Sequence, residues 1–213
     1  MYKTLLFDLD GTLTDSSEGI TKCAQLALNH FDKTGYSLAD LRVFIGPPLN
    51  ETFARFGLHD EQIEEAIKVF RSRYNTVGKF ENKPYPHIKK TLKDLKKAGA
   101  KLYVATSKPE RTAKEILDRF EMTDLFDLIC GASFDHSREK KSDVIAYLLE
   151  QAPKDGKTLM IGDTTYDIKG ANAMNLPSIG VNWGFGDKQD MLDEGALAVV
   201  NTMDELYDFA TNQ

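Results

Sequence analysis

Phe7-Asp8-Leu9-Asp10-Gly11-Thr12-Leu13-Thr14-Asp15 follows directly on the apolar run Leu5-Leu6-Phe7. Two carboxylates, Asp8 and Asp10, stand two residues apart where a strand is expected to end. Gly11 lets the backbone approach a ligand closely, and Thr12 adds a hydroxyl. An acidic pair of this kind can hold a divalent cation against a phosphate. One carboxylate can attack phosphorus while the other moves a proton. Taken alone, the pair reads equally well as a strand end or a helix cap, so the rest of the chain decides.

Three further segments supply matching parts, in order. Ser107 lies in Val104-Ala105-Thr106-Ser107-Lys108-Pro109, after the strand-like run Leu102 to Ala105. A lysine, Lys140 or Lys141, precedes Ser142-Asp143-Val144-Ile145. Gly162-Asp163-Thr164-Thr165-Tyr166-Asp167 follows the strand-like Thr158 to Ile161. Strands are predicted at 4–9, 101–106, 126–130, 158–162, 178–181 and 197–200. Between them the apolar spacing predicts helices over 87–98, from Pro109 to Phe120, after a Ser142 cap, and after a Thr202–Glu205 capping box. Alternating strands and helices with short links imply an α/β fold, a doubly wound parallel sheet covered on both faces. Such sheets bind ligands beyond the carboxyl ends of their strands. Asp8, Asp10, Ser107 and Asp163 all fall at such ends.

Residues 16–82 break the alternation. They carry helical periodicity instead, with Ile20, Ala24, Ala27, Leu28 and Phe31, then Ile63, Ala66, Ile67, Phe70, Tyr74 and Val77. Asn82-Lys83-Pro84-Tyr85-Pro86 reads as a linker, because each Pro disfavours helix at the residue before it. The expected organisation is a core of 1–15 and 83–213, interrupted by a helical insert.

Together the four motifs resemble the haloacid dehalogenase-like phosphohydrolase superfamily, most closely its phosphoglycolate phosphatase-like branch. The resemblance covers nearly the whole chain. It implies a Rossmann-like core and a helical cap, residues 16–82, that closes over the catalytic site. It implies Asp8 as nucleophile and Asp10 as acid and base. The Asp8 and Asp163 carboxylates and the Asp10 backbone carbonyl would be the Mg²⁺ ligands. Ser107 would donate to a phosphoryl oxygen, helped by Thr106 and by backbone N–H groups near Gly11, Thr12 and Lys108. By the family's register Lys141 is the phosphate-neutralising lysine, with Lys140 as its solvated neighbour. Asp167 would orient a metal-bound water or Lys141, or else serve as an N-terminal helix charge. Gly46, in Phe44-Ile45-Gly46-Pro47-Pro48-Leu49, matches a substrate-facing cap loop. Lys22 and Arg42 are candidates for contacting the remainder of the substrate, or plain exposed charges. Trp183-Gly184-Phe185-Gly186 borders the site or forms a plain turn.

Composition narrows the partners. The chain has 213 residues, is 41% hydrophobic, and carries a formal net charge of −6. That charge argues against a nucleic-acid surface. It does not exclude an anionic phosphate, because a bound cation and local lysines reverse the sign where it matters. Cys23 and Cys130 show no metal or redox spacing, which suits reduced thiols in the cytoplasm. No apolar stretch approaches the roughly 20 residues of a membrane span. The expected activity is Mg²⁺-dependent hydrolysis of a small soluble phosphomonoester through an aspartyl-phosphate. Phosphoglycolate, a nucleoside 5′-monophosphate and a sugar phosphate all remain open as substrates. The alternative is a phosphomutase of the β-phosphoglucomutase type, which returns the phosphoryl group to sugar. A dehalogenase would leave Asp10 without a role, and a non-catalytic regulator would not need the full motif set. The oligomeric state is left open.

Overall fold

The computed structural model describes residues 1–133, 137–152 and 156–212. Its elements run β1 (Thr4–Phe7), β2 (Thr14–Asp15), α1 (Ser17–Asn29), α2 (Leu49–Arg55), α3 (Asp60–Tyr74) and β3 (Lys83–Pro84). Then follow α4 (Ile88–Lys97), β4 (Lys101–Pro109), α5 (Glu110–Arg119), β5 (Leu128–Ala132), α6 (Lys141–Gln151) and β6 (Thr158–Gly162). The chain closes with α7 (Thr165–Ala173), β7 (Ser178–Val181), α8 (Lys188–Asp193), β8 (Val199–Val200) and α9 (Met203–Thr211). It divides into two compact units, 1–14 with 84–213, and 15–83.

The larger unit is built on a six-stranded sheet in the order β5-β4-β1-β6-β7-β8. Every ladder in it is parallel. Side chains alternate across the sheet as the pleat demands. Leu5, Phe7, Leu102, Val104, Leu159 and Ile161 meet α4, α5 and α9 on one face. Leu6, Tyr103, Ala105 and Met160 meet α6 and α7 on the other. Leu5, Leu6 and Phe7 are fully buried, each contributing about 1.5–3 kcal/mol of transfer free energy. A one-residue slip would invert that pattern. Burial therefore fixes the register that leaves Asp8 at the end of β1.

Several bounds differ from the sequence expectation, for local reasons. β1 ends at Phe7 rather than Leu9, because Leu13 and Thr14 both return their N–H groups to Leu9 O and close a tight turn. β4 continues to Pro109 through an irregular register after Ala105. β5 lies two residues later than expected. Ser142 is not the cap of α6. Lys140 holds that position, and its N–H donates to Asp143 Oδ2 at 3.1 Å. Thr202 does cap α9, but Glu205 turns its carboxylate to the Asn201 N–H instead of closing the box.

The smaller unit is helical. Cys23, Ala24, Ala27, Leu28, Phe53, Leu58, Ala66 and Phe70 are buried in it, whereas Val77, beyond the end of α3, is half exposed. Phe44 packs edge-on against Phe53 at 4.8 Å. Arg73 grips Glu81 through two bonds of 2.6 and 2.9 Å, holding that carboxyl down at about 2. Lys22 bridges Glu18 and Glu81 at 2.6 and 3.0 Å. Arg42 is exposed, as is Gly46, which adopts φ +100°.

Candidate active site

Four strand ends converge in the larger unit. Asp8 and Asp10 follow β1, Thr106 to Lys108 end β4, Asp163 follows β6, and Trp183 to Phe185 follow β7. Lys141 opens α6.

Lys141, almost wholly buried, is the centre of this cluster. Its Nζ lies 2.7 Å from Asp8 Oδ1 and 2.8 Å from Asp167 Oδ1, and donates to Ala105 O at 3.0 Å. Lys140 is exposed. Burial opposes the Lys141 charge, but Asp167 and Asp8 more than offset it and hold the ammonium above its ordinary value. Gly170 makes room for this lysine, since a Cβ there would meet Lys141 Cγ at 2.5 Å.

Asp167 divides its oxygens between two sets of partners. Oδ1 holds Lys141, while Oδ2 accepts from Asp163 N, Thr164 N and Thr164 Oγ1 at 3.1–3.2 Å. The second set caps α7 in the Thr-x-x-Asp pattern of a capping box. That spacing, Thr164 to Asp167, is present in the sequence but is not read there as a cap.

Asp8, Asp163 and Asp167 bring carboxylate oxygens within 4.8 Å of one another. One lysine cannot neutralise three buried carboxylates. Burial first, then the Asp167 and Asp8 charges, pushes the Asp163 carboxyl well above the usual carboxylate range, with the Phe185 N–H and Lys141 opposing. Burial likewise raises Asp167 despite Lys141. Hard oxygen donors with surplus negative charge are what a divalent cation needs. Asp167 has both oxygens committed. Among the described residues Asp8 Oδ2 and Asp163 Oδ1 are the least committed, the latter accepting from Thr12 Oγ1 at 3.4 Å.

Asp10 turns away from this trio. Its Oδ2 pairs with Lys108 Nζ at 2.7 Å, and its Oδ1 is buried with no hydrogen-bond partner among the described residues. The Lys108 side chain was not foreseen as a site element, only its backbone. Two of the expected phosphate-facing N–H groups are engaged within the chain. Gly11 N donates to Thr14 O at 2.8 Å, and Lys108 N to Thr106 Oγ1 at 3.2 Å. Ser107 is exposed and Thr106 buried.

The Trp183–Gly186 loop borders the site. Phe185 N donates to Asp163 Oδ2 at 2.9 Å, and Trp183 Nε1 to Thr12 O at 3.1 Å. Two glycines are required here. Gly11 has φ +81°, and a Cβ on it would lie 2.0 Å from Asp163 Oδ2. A Cβ on Gly184 would lie 2.3 Å from Asp163 Cβ and 2.6 Å from Gly11 O. A second brace lies nearby. Arg138 bonds Glu110 Oε2 at 2.9 Å and Gly131 O at 2.8 Å, and stacks on Tyr147. It ties the start of α5 to the loop that leads into Lys141.

The raised carboxyls carry a pH signature. A folded-state pKa above the unfolded value gives stability that is present at acid pH and lost as pH rises through the folded value. The cation-free protein therefore loses the Asp163 contribution as pH rises from the ordinary carboxylate range through the raised folded-state value. Asp163→Asn is expected to flatten this slope. Thermal melts in chelator at several pH values check it, and parallel curves for both proteins would contradict it.

A model of the haloacid dehalogenase-like hydrolase family matches residues 5–181. The tyrosine-protein kinase PtkA of Mycobacterium tuberculosis is 42% identical over 207 residues, 95% of this chain and 70% of PtkA. The 5′-nucleotidase of Pseudomonas aeruginosa is 39% identical over 192 residues, 89% of this chain and 87% of that protein. The crystal structure of a predicted phosphatase from Clostridium acetobutylicum matches with a TM-score of 0.93 at 43% identity, with both chains covered in full.

Proposed function

The chain belongs to the haloacid dehalogenase-like hydrolase family and is a phosphatase, and from that premise we propose that it is a Mg²⁺-dependent hydrolase of a small phosphomonoester, working through an aspartyl-phosphate on Asp8. The observation that carries this reading is the Asp8–Lys141–Asp167 chain of ion pairs beside Asp163.

Asp8 attacks phosphorus through Oδ2, with Oδ1 held by Lys141. The bond from phosphorus to the ester oxygen breaks, and Asp10 gives that oxygen a proton. In the second half Asp10 takes a proton from water, which attacks the acyl-phosphate and frees inorganic phosphate. Lys141 offsets charge on the nucleophile and on the transferring group. Mg²⁺, when held by the Asp8 and Asp163 carboxylates and the Asp10 carbonyl, would offset the repulsion between carboxylate and phosphate. Ser107 and the Thr12 N–H are assigned to the phosphoryl oxygens, and Gly11 and Lys108 leave that set because their N–H groups are engaged. The helical unit 15–83 is assigned the choice of the substrate's remainder.

A nucleoside 5′-monophosphate heads the substrate panel because of the 5′-nucleotidase relative. PtkA supports a second reading, transfer of the phosphoryl group to a hydroxyl. That fate also covers the phosphomutase alternative. Counting inorganic phosphate against phosphorylated acceptor, across a metabolite panel with and without Mg²⁺, separates the readings. Water as the main acceptor is expected. Among the described residues no helix is long and apolar enough to cross a membrane. Neither buried cysteine forms a disulfide, and burial pushes the Cys130 thiol up to about 11. Both cysteines suit the reducing cytoplasm we assign.

Asp10→Asn tests the proton-transfer role. Alkyl phosphates, whose leaving oxygen needs a proton, should lose roughly 10²–10⁴-fold in kcat. Nitrophenyl phosphate should lose much less. Equal losses would give Asp10 a structural role with Lys108 instead.

A further inference from the structure

We infer that Trp183 is a positioning residue for the divalent-cation site, acting through Thr12 and through the loop that grips Asp163. The inference rests on the proposed reading of the site and adds a residue to it. The indole N–H donates to Thr12 O at 3.1 Å, and the Thr12 hydroxyl reaches Asp163 Oδ1 at 3.4 Å. Two residues further on, Phe185 N donates to Asp163 Oδ2 at 2.9 Å. Gly186 N donates to Asp163 O at 3.1 Å. Between them Gly184 lies too close to Asp163 and Gly11 for any side chain. Residues 183–186 thus touch the carboxylate and carbonyl of Asp163 and the turn that follows the Asp8–Asp10 pair.

The physical need is for registration between two strand ends. Oxygens from the end of β1 and from the end of β6 must stand in fixed relation before one small cation can use both. The sheet sets the strands, but a carboxylate can still rotate, and the 11–12 turn lies beyond the last ladder bond of β1. Trp can only donate through its ring nitrogen, so Thr12 O fixes one indole orientation. Tyr85 meets the indole edge-on at 6.4 Å. Removing partners that orient metal-ligating groups typically weakens metal affinity by about 10–100-fold. A plain turn contact would behave otherwise, changing the melting temperature of the loaded and cation-free forms equally.

Trp183 is the only tryptophan in the chain, so its emission reports this loop alone. The experiment is a calorimetric titration of Mg²⁺ into the full-length wild type, Trp183→Phe and Trp183→His, with emission followed in the wild type. Wild-type emission should change with the midpoint seen by calorimetry. Trp183→Phe, which keeps a ring and loses the N–H, should bind Mg²⁺ about tenfold or more weakly. Trp183→His, which keeps a ring N–H, should recover part of that loss. At saturating Mg²⁺ the KM for an aryl phosphate should return to within about twofold of wild type. Unchanged affinity in folded Trp183→Phe overturns the inference. So does an emission that ignores Mg²⁺ shown bound by calorimetry, and that measurement decides the matter if the variants fail to fold. A wild type that binds no Mg²⁺ overturns the reading of the site itself, and this inference with it.

Discussion

Asp8→Asn should lose roughly 10⁴-fold or more of phosphate release while the protein stays folded. An amide nitrogen or oxygen cannot form the acyl-phosphate, so no residual route passes through this residue. The fold should tolerate the change. Asp8 is one of three crowded carboxylates, and Asn keeps its shape while removing one negative charge. Lys141 retains Asp167 at 2.8 Å and Ala105 O at 3.0 Å. In chelator the melting temperature should therefore hold or rise, because repulsion on Asp163 falls. Steady-state phosphate release and thermal melts of the same preparation check both halves. Activity within tenfold of wild type would remove Asp8 as the nucleophile.

Lys141→Met should be costly in both respects. Methionine fills much the same volume, so the effect is electrostatic. It leaves Asp8 and Asp167 facing each other and Asp163 without a buried cation between them. Breaking a buried pair by removing one partner typically costs about 3–5 kcal/mol. A loss of roughly 10³-fold in kcat is expected from the missing charge on the transferring group. The double variant Lys141→Met/Asp167→Asn should regain part of the stability, measured by urea unfolding, and none of the activity. A single variant as stable as wild type would show that the lysine's ion pairs do not hold the fold.

The parts of the site that could be read from sequence are those set by local chemistry. β6 and β7 were expected at their observed bounds, because short apolar runs there end abruptly in Gly or Asn. Lys141 is preferred to Lys140 by the resembled family's register, although α6 begins at Lys141 itself and not after a Ser142 cap. Most of the misreadings concern partners distant in the chain, the Gly11 N–H taken by nearby Thr14 O being the local exception. Nothing near Asp10 says that its carboxylate will meet Lys108, nearly a hundred residues away. The 183–186 loop looked as much like a turn as a site wall, because its role lies in backbone N–H groups aimed at Asp163. The Gly11 N–H looked available only while the return of Thr14 O was unseen. Local pattern shows where a strand ends; which oxygen each donor finds is settled by the sheet order.

That order has a consequence for the nascent chain. β1 lies inside the sheet, yet it precedes both its partners, which begin only at Lys101 and Thr158. Translation at about 5–20 residues per second leaves β1 with two bare edges for roughly 5 to 20 seconds before β4 is made. The intervening helices have short-range contacts and can form during that wait. An apolar strand held open this long invites pairing with other chains. Leu5-Leu6-Phe7 is bracketed by Lys3 on one side and Asp8 and Asp10 on the other, the charged flanks that discourage such pairing. The carboxylates assigned to chemistry in the finished protein are thus also the guards of its unfinished one.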